Sequence, residues 1–218
     1  MKTNSFTLAE VLVTLVIIGV VSALTIPQLI QNSKHAGSVN KYRKTFGSLQ
    51  NTFNLLLAEG RDVVSLYAPA EPPGTSATAF LSKYSVVKNC VAAQGCFPTG
   101  NVQNLDGTDT GWDINQDGGY SKAILADGTL VGFSSYQDNC THVPTAGSGP
   151  LLKTCGSLII DINGFKGPYR AGVDVFEIWI SSTGIYPIGS SYDNFAGDCI
   201  YNGWGCGGKI LTEGEINY

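Results

Sequence analysis

The sequence predicts an α+β fold in which one long N-terminal helix packs on an antiparallel β-sheet. Three observations carry that expectation. An apolar run begins at Phe6 and contains no Asp, Glu, Lys or Arg between Val11 and Ser33. A second apolar pattern, at helical spacing, follows it from Val39 to Leu56. Strand patterns rich in β-branched and aromatic residues are concentrated after Lys122. A helix with one apolar stripe and a sheet with one apolar face cover each other economically.

The run from Phe6 to Pro27 is long enough to cross a bilayer as a helix, which satisfies its own backbone polar groups there. Glu10 stands just inside its start. An ionised carboxylate at the bilayer centre costs about 2.5–3.5 kcal/mol on insertion scales, so Glu10 needs a partner. The neighbouring residues suggest one. Ser5-Phe6-Thr7-Leu8-Ala9-Glu10, after a short stretch carrying Lys2, resembles the processing site of the type IV pilin and pseudopilin family. The resemblance implies that a prepilin peptidase and methylase removes the leader, residues 1–5, between Ser5 and Phe6. It further implies N-methylation of Phe6 and an assembly salt bridge between Glu10 and that amine. Gly19 and Pro27 fall where filament pilins carry helix breakers that let this segment partly unwind on assembly. The family nearly always has Gly before the cut, and Ser5 stands there in this chain.

The physical logic agrees. Phe6 and Glu10 are four apart and share one helix face, and the helix N-terminus favours a carboxylate. In a lipid-free bundle an unpaired Glu10 could take a neighbour's amine. Two plainer readings compete. A secretory signal would use Val21-Ser22-Ala23 as its small-residue cleavage site, but the apolar run contains Glu10 and continues into Ile26, Leu29 and Ile30. A single-pass anchor would use Lys2 to hold the N-terminus in the cytoplasm, and it gives Glu10 nothing to do.

Residues 6–33 are therefore expected to form the transmembrane and assembly helix, and residues 34–60 its amphipathic continuation. In the continuation, Val39, Tyr42, Phe46, Leu49, Phe53 and Leu56 recur at spacings of 3, 4, 3, 4 and 3, a sustained helical stripe. Gly60 is a good stop. Phe6 to Glu59 would make a helix of about 80 Å, bent or broken at Pro27 by the missing backbone bond. Residues 61–120 hold many Pro and Gly breakers and read as an irregular connection, with a short helix near 77–84. Residues 121–218 read as the sheet and a C-terminal loop, and 34–218 as one globular domain. The strands begin with a hairpin, Lys122–Leu125 and Thr129–Phe133 around Asp127-Gly128. Ser157–Ile162, Val173–Ile180 and a short partner, Gly184–Pro187, complete the sheet. Leu125–Phe133 and Ile159–Ile180 resemble the sheet of bacterial pilin-like proteins. Cys199 and Cys206 with Gly207-Gly208-Lys209-Ile210-Leu211 resemble their C-terminal disulfide loop.

The net charge is −4 and 14% of residues are charged, with no basic patch, so nucleic acid is not an expected ligand of the folded domain. Six cysteines in a chain with an export segment point to disulfides in an oxidising compartment. None is in Cys-x-x-Cys spacing, and His35 and His142 lie outside any zinc pattern. Pairing of sequence neighbours is favoured among the fifteen connectivities that six cysteines allow: Cys90–Cys96, Cys140–Cys155 and Cys199–Cys206.

Asp113, Asn115, Asp117 and Gly118 match the opening of a calcium loop, but Ile124 stands where a bidentate Glu is expected. A polar turn is the favoured reading, and no cofactor is expected. Asp161-Ile162-Asn163-Gly164 reads as a strand-ending turn. No Ser/His/Asp elbow or phosphate-binding Gly loop is present, so the chain is not expected to be an enzyme. Tyr42, Phe46 and Phe53 read as core.

The implied function is a structural subunit of a type IV pilus-like filament, alone or mixed with other pilins. Before assembly it would sit in the inner membrane, N-terminus in the cytoplasm, and meet an inner-membrane assembly platform. Its destination would be an extracellular pilus. A pseudopilin of a type II secretion or DNA-uptake system, in the periplasm, is the alternative within the class. A monomeric membrane-anchored binding domain is the alternative outside it.

Overall fold

The computed structural model describes residues 7–61, 77–136 and 139–216. They fall into two compact units that meet between Gly37 and Ser38. Helix α1 is a single element, Leu8–Ala58. Pro27, where a bend or a break is expected, lies inside it and does not end it. A proline costs its turn one backbone bond, and the turns on either side keep theirs.

In the first unit Val11, Leu12, Val16, Ile18, Leu24 and Leu29 are all exposed. In the second unit the stripe Val39, Tyr42, Phe46, Leu49, Phe53 and Leu56 is buried throughout. Each such side chain contributes about 1.5–3 kcal/mol by leaving water.

The sheet has six antiparallel strands in the order β1-β2-β3-β4-β5-β6. They are β1 Val86–Val91, β2 Ser121–Leu125, β3 Leu130–Ser135, β4 Thr154–Asp161, β5 Val175–Ser181 and β6 Gly184–Pro187. The predicted hairpin is present, with Ser121 paired to Phe133 and Ile124 to Leu130. Gly128 takes φ +84° and Asp127 accepts the Thr129 N–H at 3.0 Å, which is why the Asp-Gly pair marks this turn.

Alternation divides the sheet into two faces. Ala123, Val131, Phe133, Leu158, Ile160, Phe176 and Ile178 pack with the α1 stripe. Tyr42 stacks closest, its ring centre 4.2 Å from that of Phe176. Leu130, Ile159 and Val175 face the other way, under Phe97, Val102, Ile114 and Tyr120. The later part of the connecting region, from Cys96 to Tyr120, is thus a lid on the sheet's second face, whereas Ala77, Phe80 and Leu81 pack on the α1 side.

Two elements depart from the sequence reading. Strand β1 lies inside the region expected to be irregular, just after the short helix α2, Thr78–Leu81. It is an edge strand, mostly exposed, with register shifts at Val86/Lys88 and Asn89/Val91. Its residues show no period of two, because no core enforces one. Helix α3, Cys206–Glu213, starts with two glycines that ordinarily disfavour a helix. Here they are required: a Cβ at Gly207 would meet the Tyr42 hydroxyl, and one at Gly208 the Gly189 backbone.

The cysteines are bonded as Cys90–Cys96, Cys140–Cys155 and Cys199–Cys206. Cys140 and Cys155 are both buried and 15 residues apart. On chain-entropy grounds, replacing both by Ala should cost about 3 kcal/mol and lower the melting temperature by roughly 5–10 °C. Thermal denaturation of the purified full chain measures this, and an unchanged midpoint would show that the bond does not restrain the unfolded chain. Peptide mapping without reduction checks all three pairings independently.

Candidate functional site

Ser5 and Phe6 lie outside the described residues. Immediately after them, Thr7 and Glu10 form a reciprocal cap on α1. The Thr7 N–H and hydroxyl both donate to Glu10 Oε2 at 2.8 Å, and the Glu10 N–H donates to Thr7 Oγ1 at 3.3 Å. This is a capping box, which satisfies backbone donors that the first helical turn leaves open. Its signature, Thr-x-x-Glu, is visible in the sequence. Glu10 therefore has a local role in addition to any partner in trans. Downstream of it, α1 is the one helix among the described residues long and apolar enough to cross a membrane.

The structure gives Asp113, Asn115 and Asp117 other work. Asp113 Oδ2 accepts from the Gly100 N–H at 3.2 Å and the Gln116 amide at 2.8 Å. Asn115 Oδ1 accepts from the Gly95 N–H at 2.7 Å. Asp117 Oδ2 accepts from Trp112 Nε1 at 2.9 Å. The backbone of the same loop turns inward around a cation supplied by the chain. Lys122 is fully buried, and its ammonium donates to the carbonyls of Asn115 at 2.7 Å, Asp117 at 2.8 Å and Ile114 at 3.2 Å. Reading Lys122 as an ordinary strand residue missed this. Its position one before Ala123, on the face away from α1, was the available signal. Among the described residues no three His, Cys, Asp or Glu side chains form one cluster.

A second buried polar pair also escaped the sequence reading. Asp161 closes β4, and its Oδ1 accepts the N–H groups of Asn163 and Gly164 at 2.9 and 2.7 Å, the turn expected there. Asp174 accepts the N–H groups of Tyr169 and Arg170 at 2.9 and 2.7 Å. Both aspartates are fully buried, and Asp161 Oδ2 has no hydrogen-bond partner among the described residues. Burial, reinforced by the neighbouring Asp174 carboxylate, pushes the Asp161 carboxyl up to about 8 from its ordinary 3.8. The folded state then holds a proton that the unfolded chain releases near pH 4. Stability from this group is full below that pH and is lost as pH rises through about 8. The melting temperature of the wild-type chain should therefore fall, relative to that of Asp161→Asn, between about pH 4 and pH 8. Asparagine keeps the Oδ1 acceptor and carries no charge. Parallel melting curves for the two chains would contradict the assignment.

A family model described as the prokaryotic N-terminal methylation motif matches residues 1–26. Comparison of the chain with curated proteins and with solved structures returned no match. The match spans Ser5, Phe6, Glu10 and most of the apolar run, so the chain carries the signal motif of type IV pilins and pseudopilins at the head of a pilin-like α+β fold.

Proposed function

We propose that this chain is a structural subunit of a type IV pilus-like filament, inserted in the inner membrane before assembly and then drawn into a bundle of α1 helices. The observation that supports it most directly is the methylation motif leading, through the capped Glu10, into an apolar helix whose large side chains are exposed. In a bilayer that surface faces lipid. In a filament it faces other copies, and Glu10 takes a neighbour's N-terminal amine. The six-stranded sheet with its disulfides would form the filament's surface. The reading calls for no cofactor and no catalytic group.

N-terminal mass spectrometry of material sheared from cells tests it. The expected species begins at Phe6 and carries one methyl group on its amine. A chain starting at Leu24 would show a secretory signal. An intact Met1 in membranes, with nothing in the sheared fraction, would show a plain anchor.

A further inference from the structure

Two stretches of the second unit each carry charges of one sign. From Ser38 to Ala58 the helix carries Lys41, Arg43 and Lys44 and no acid. From Asn89 to Ser121 the chain carries Asp106, Asp109, Asp113 and Asp117 and no Lys, Arg or His. The helix stretch and the Asp106–Asp109 turn are thus two different surfaces of one unit, the first cationic and the second acidic, with Arg170 beside Asp106.

The cationic side is shaped. A cavity of about 200 Å³ opens between α1 and the β2–β3 turn, and it continues along α1 as an open groove that shares Lys44 and Ser48 with it. Lys83, on the groove wall, is neutralised by Glu59 at 2.6 Å, and Asp127 contributes one carboxylate. Arg43 Nη2 donates to the Leu211 carbonyl at 3.4 Å. Lys44 is exposed, has no ion-pair partner among the described residues, and stands beside the Ser48 and Tyr84 hydroxyls. The Lys44 ammonium, with the Ser48 and Tyr84 hydroxyls beside it, suits a carboxylate.

The anionic side presents one. Asp106 and Asp109 are exposed at the ends of a tight turn in which Asp106 Oδ1 accepts from the Thr108 hydroxyl at 2.6 Å. Hydrogen bonds from Thr108 hold Asp106 below the usual carboxylate range, and bonds from Gly111 and Asn101 do the same for Asp109. Asp106 also feels Arg170, whereas Asp109 has no cation partner among the described residues.

We propose that the Lys44–Ser48 groove of one copy receives the Asp106–Asp109 turn of a second copy. The pairing rests on the filament reading and extends it. Since the two surfaces differ, the contact is heterologous and does not close on itself as a two-fold dimer would. Each copy then offers a free groove and a free turn, the condition for an open helical array. Opposed charge patches set register and exclude wrong partners.

The test places a photo-reactive phenylalanine in place of Asn51, which lines the groove and is exposed, in the full-length chain in the cells that make it. Irradiation should give a dimer whose second peptide contains Asp106–Asp109. Lys44→Glu should lower that adduct roughly tenfold, and adding Asp109→Lys to the same chain should restore it. An adduct to another part of the second copy, to a different protein, or no adduct at all overturns the pairing, as does failure of the charge swap to restore it. Sheared filaments are scored separately. The adduct without filaments retains the pairing and removes the filament reading, whereas filaments without the adduct remove the pairing alone.

Discussion

Cells that make only Glu10→Gln should insert the chain in the membrane as before and release few or no filaments on shearing. The substitution is close to isosteric, and its amide oxygen can still accept from the Thr7 N–H and hydroxyl, so the first turn of α1 stays capped. Insertion becomes slightly easier, because a costly charge has left an apolar helix. The globular unit, built from Ser38 onward, is untouched. What changes is the fate of the Phe6 amine in a lipid-free bundle. A buried cation that has lost its partner costs about 3–5 kcal/mol, at least a hundredfold in an assembly equilibrium. Glu10→Ala should fail as well, but it also breaks the cap and so is harder to interpret. Normal amounts of sheared filaments from Glu10→Gln cells would refute the charge-pairing mechanism.

Lys122→Met should destabilise the globular unit by about 1–3 kcal/mol for each buried carbonyl that it leaves without a donor. Methionine fills much of the volume but leaves the Asn115, Asp117 and Ile114 carbonyls facing a thioether instead of an ammonium. The damage should be local first. Gly95 and Gly100 are pinned to Asn115 and Asp113, so the lid loosens while the α1 face stays packed. Hydrogen exchange of the purified full chain can resolve this. Protection should fall for residues around 95–120 and persist for Leu158 and Phe176. Uniform loss, or none, would contradict the role assigned to Lys122. The opposite substitution, Lys122→Arg, should not rescue, since a planar fork does not fit a cage built for a compact ammonium.

The sequence made α1 and strands β2 to β6 readable because packing on both elements is strict. Tyr42, Phe46 and Phe53 must meet the sheet every three or four residues, and Phe176 and Ile178 must meet the helix every two. Where packing relaxes, the pattern disappears. Strand β1 touches one neighbour and exposes Val87, Lys88 and Asn89, so nothing forces an alternation that could be seen. Helix α3 was hidden for the opposite reason: Gly207 and Gly208 answer to crowding from Tyr42 and Gly189, which lie far away in sequence. The candidate site divides in the same way. Glu10 was conspicuous as a lone charge in an apolar run. Lys122, Asp161 and Asp174 look like surface residues until the lid and the turn close over them.

Strand order in space is also strand order along the chain, and the three cystine separations are 6, 15 and 7 residues. As the chain emerges from its N-terminus, the α1 stripe is the first part of the globular unit's core to appear, and every later strand lands beside the one made just before it. Among the described strands none after β1 waits for a partner made later than its successor, and long waits for a strand partner are what slow folding and invite aggregation. Each thiol likewise meets its own partner before any other newly exposed cysteine. Oxidation in simple order of appearance then yields the bonded set, and reshuffling by thiol–disulfide exchange has nothing to correct. The connectivity doubles as a schedule, in which each strand and each cystine can be finished soon after its residues are delivered.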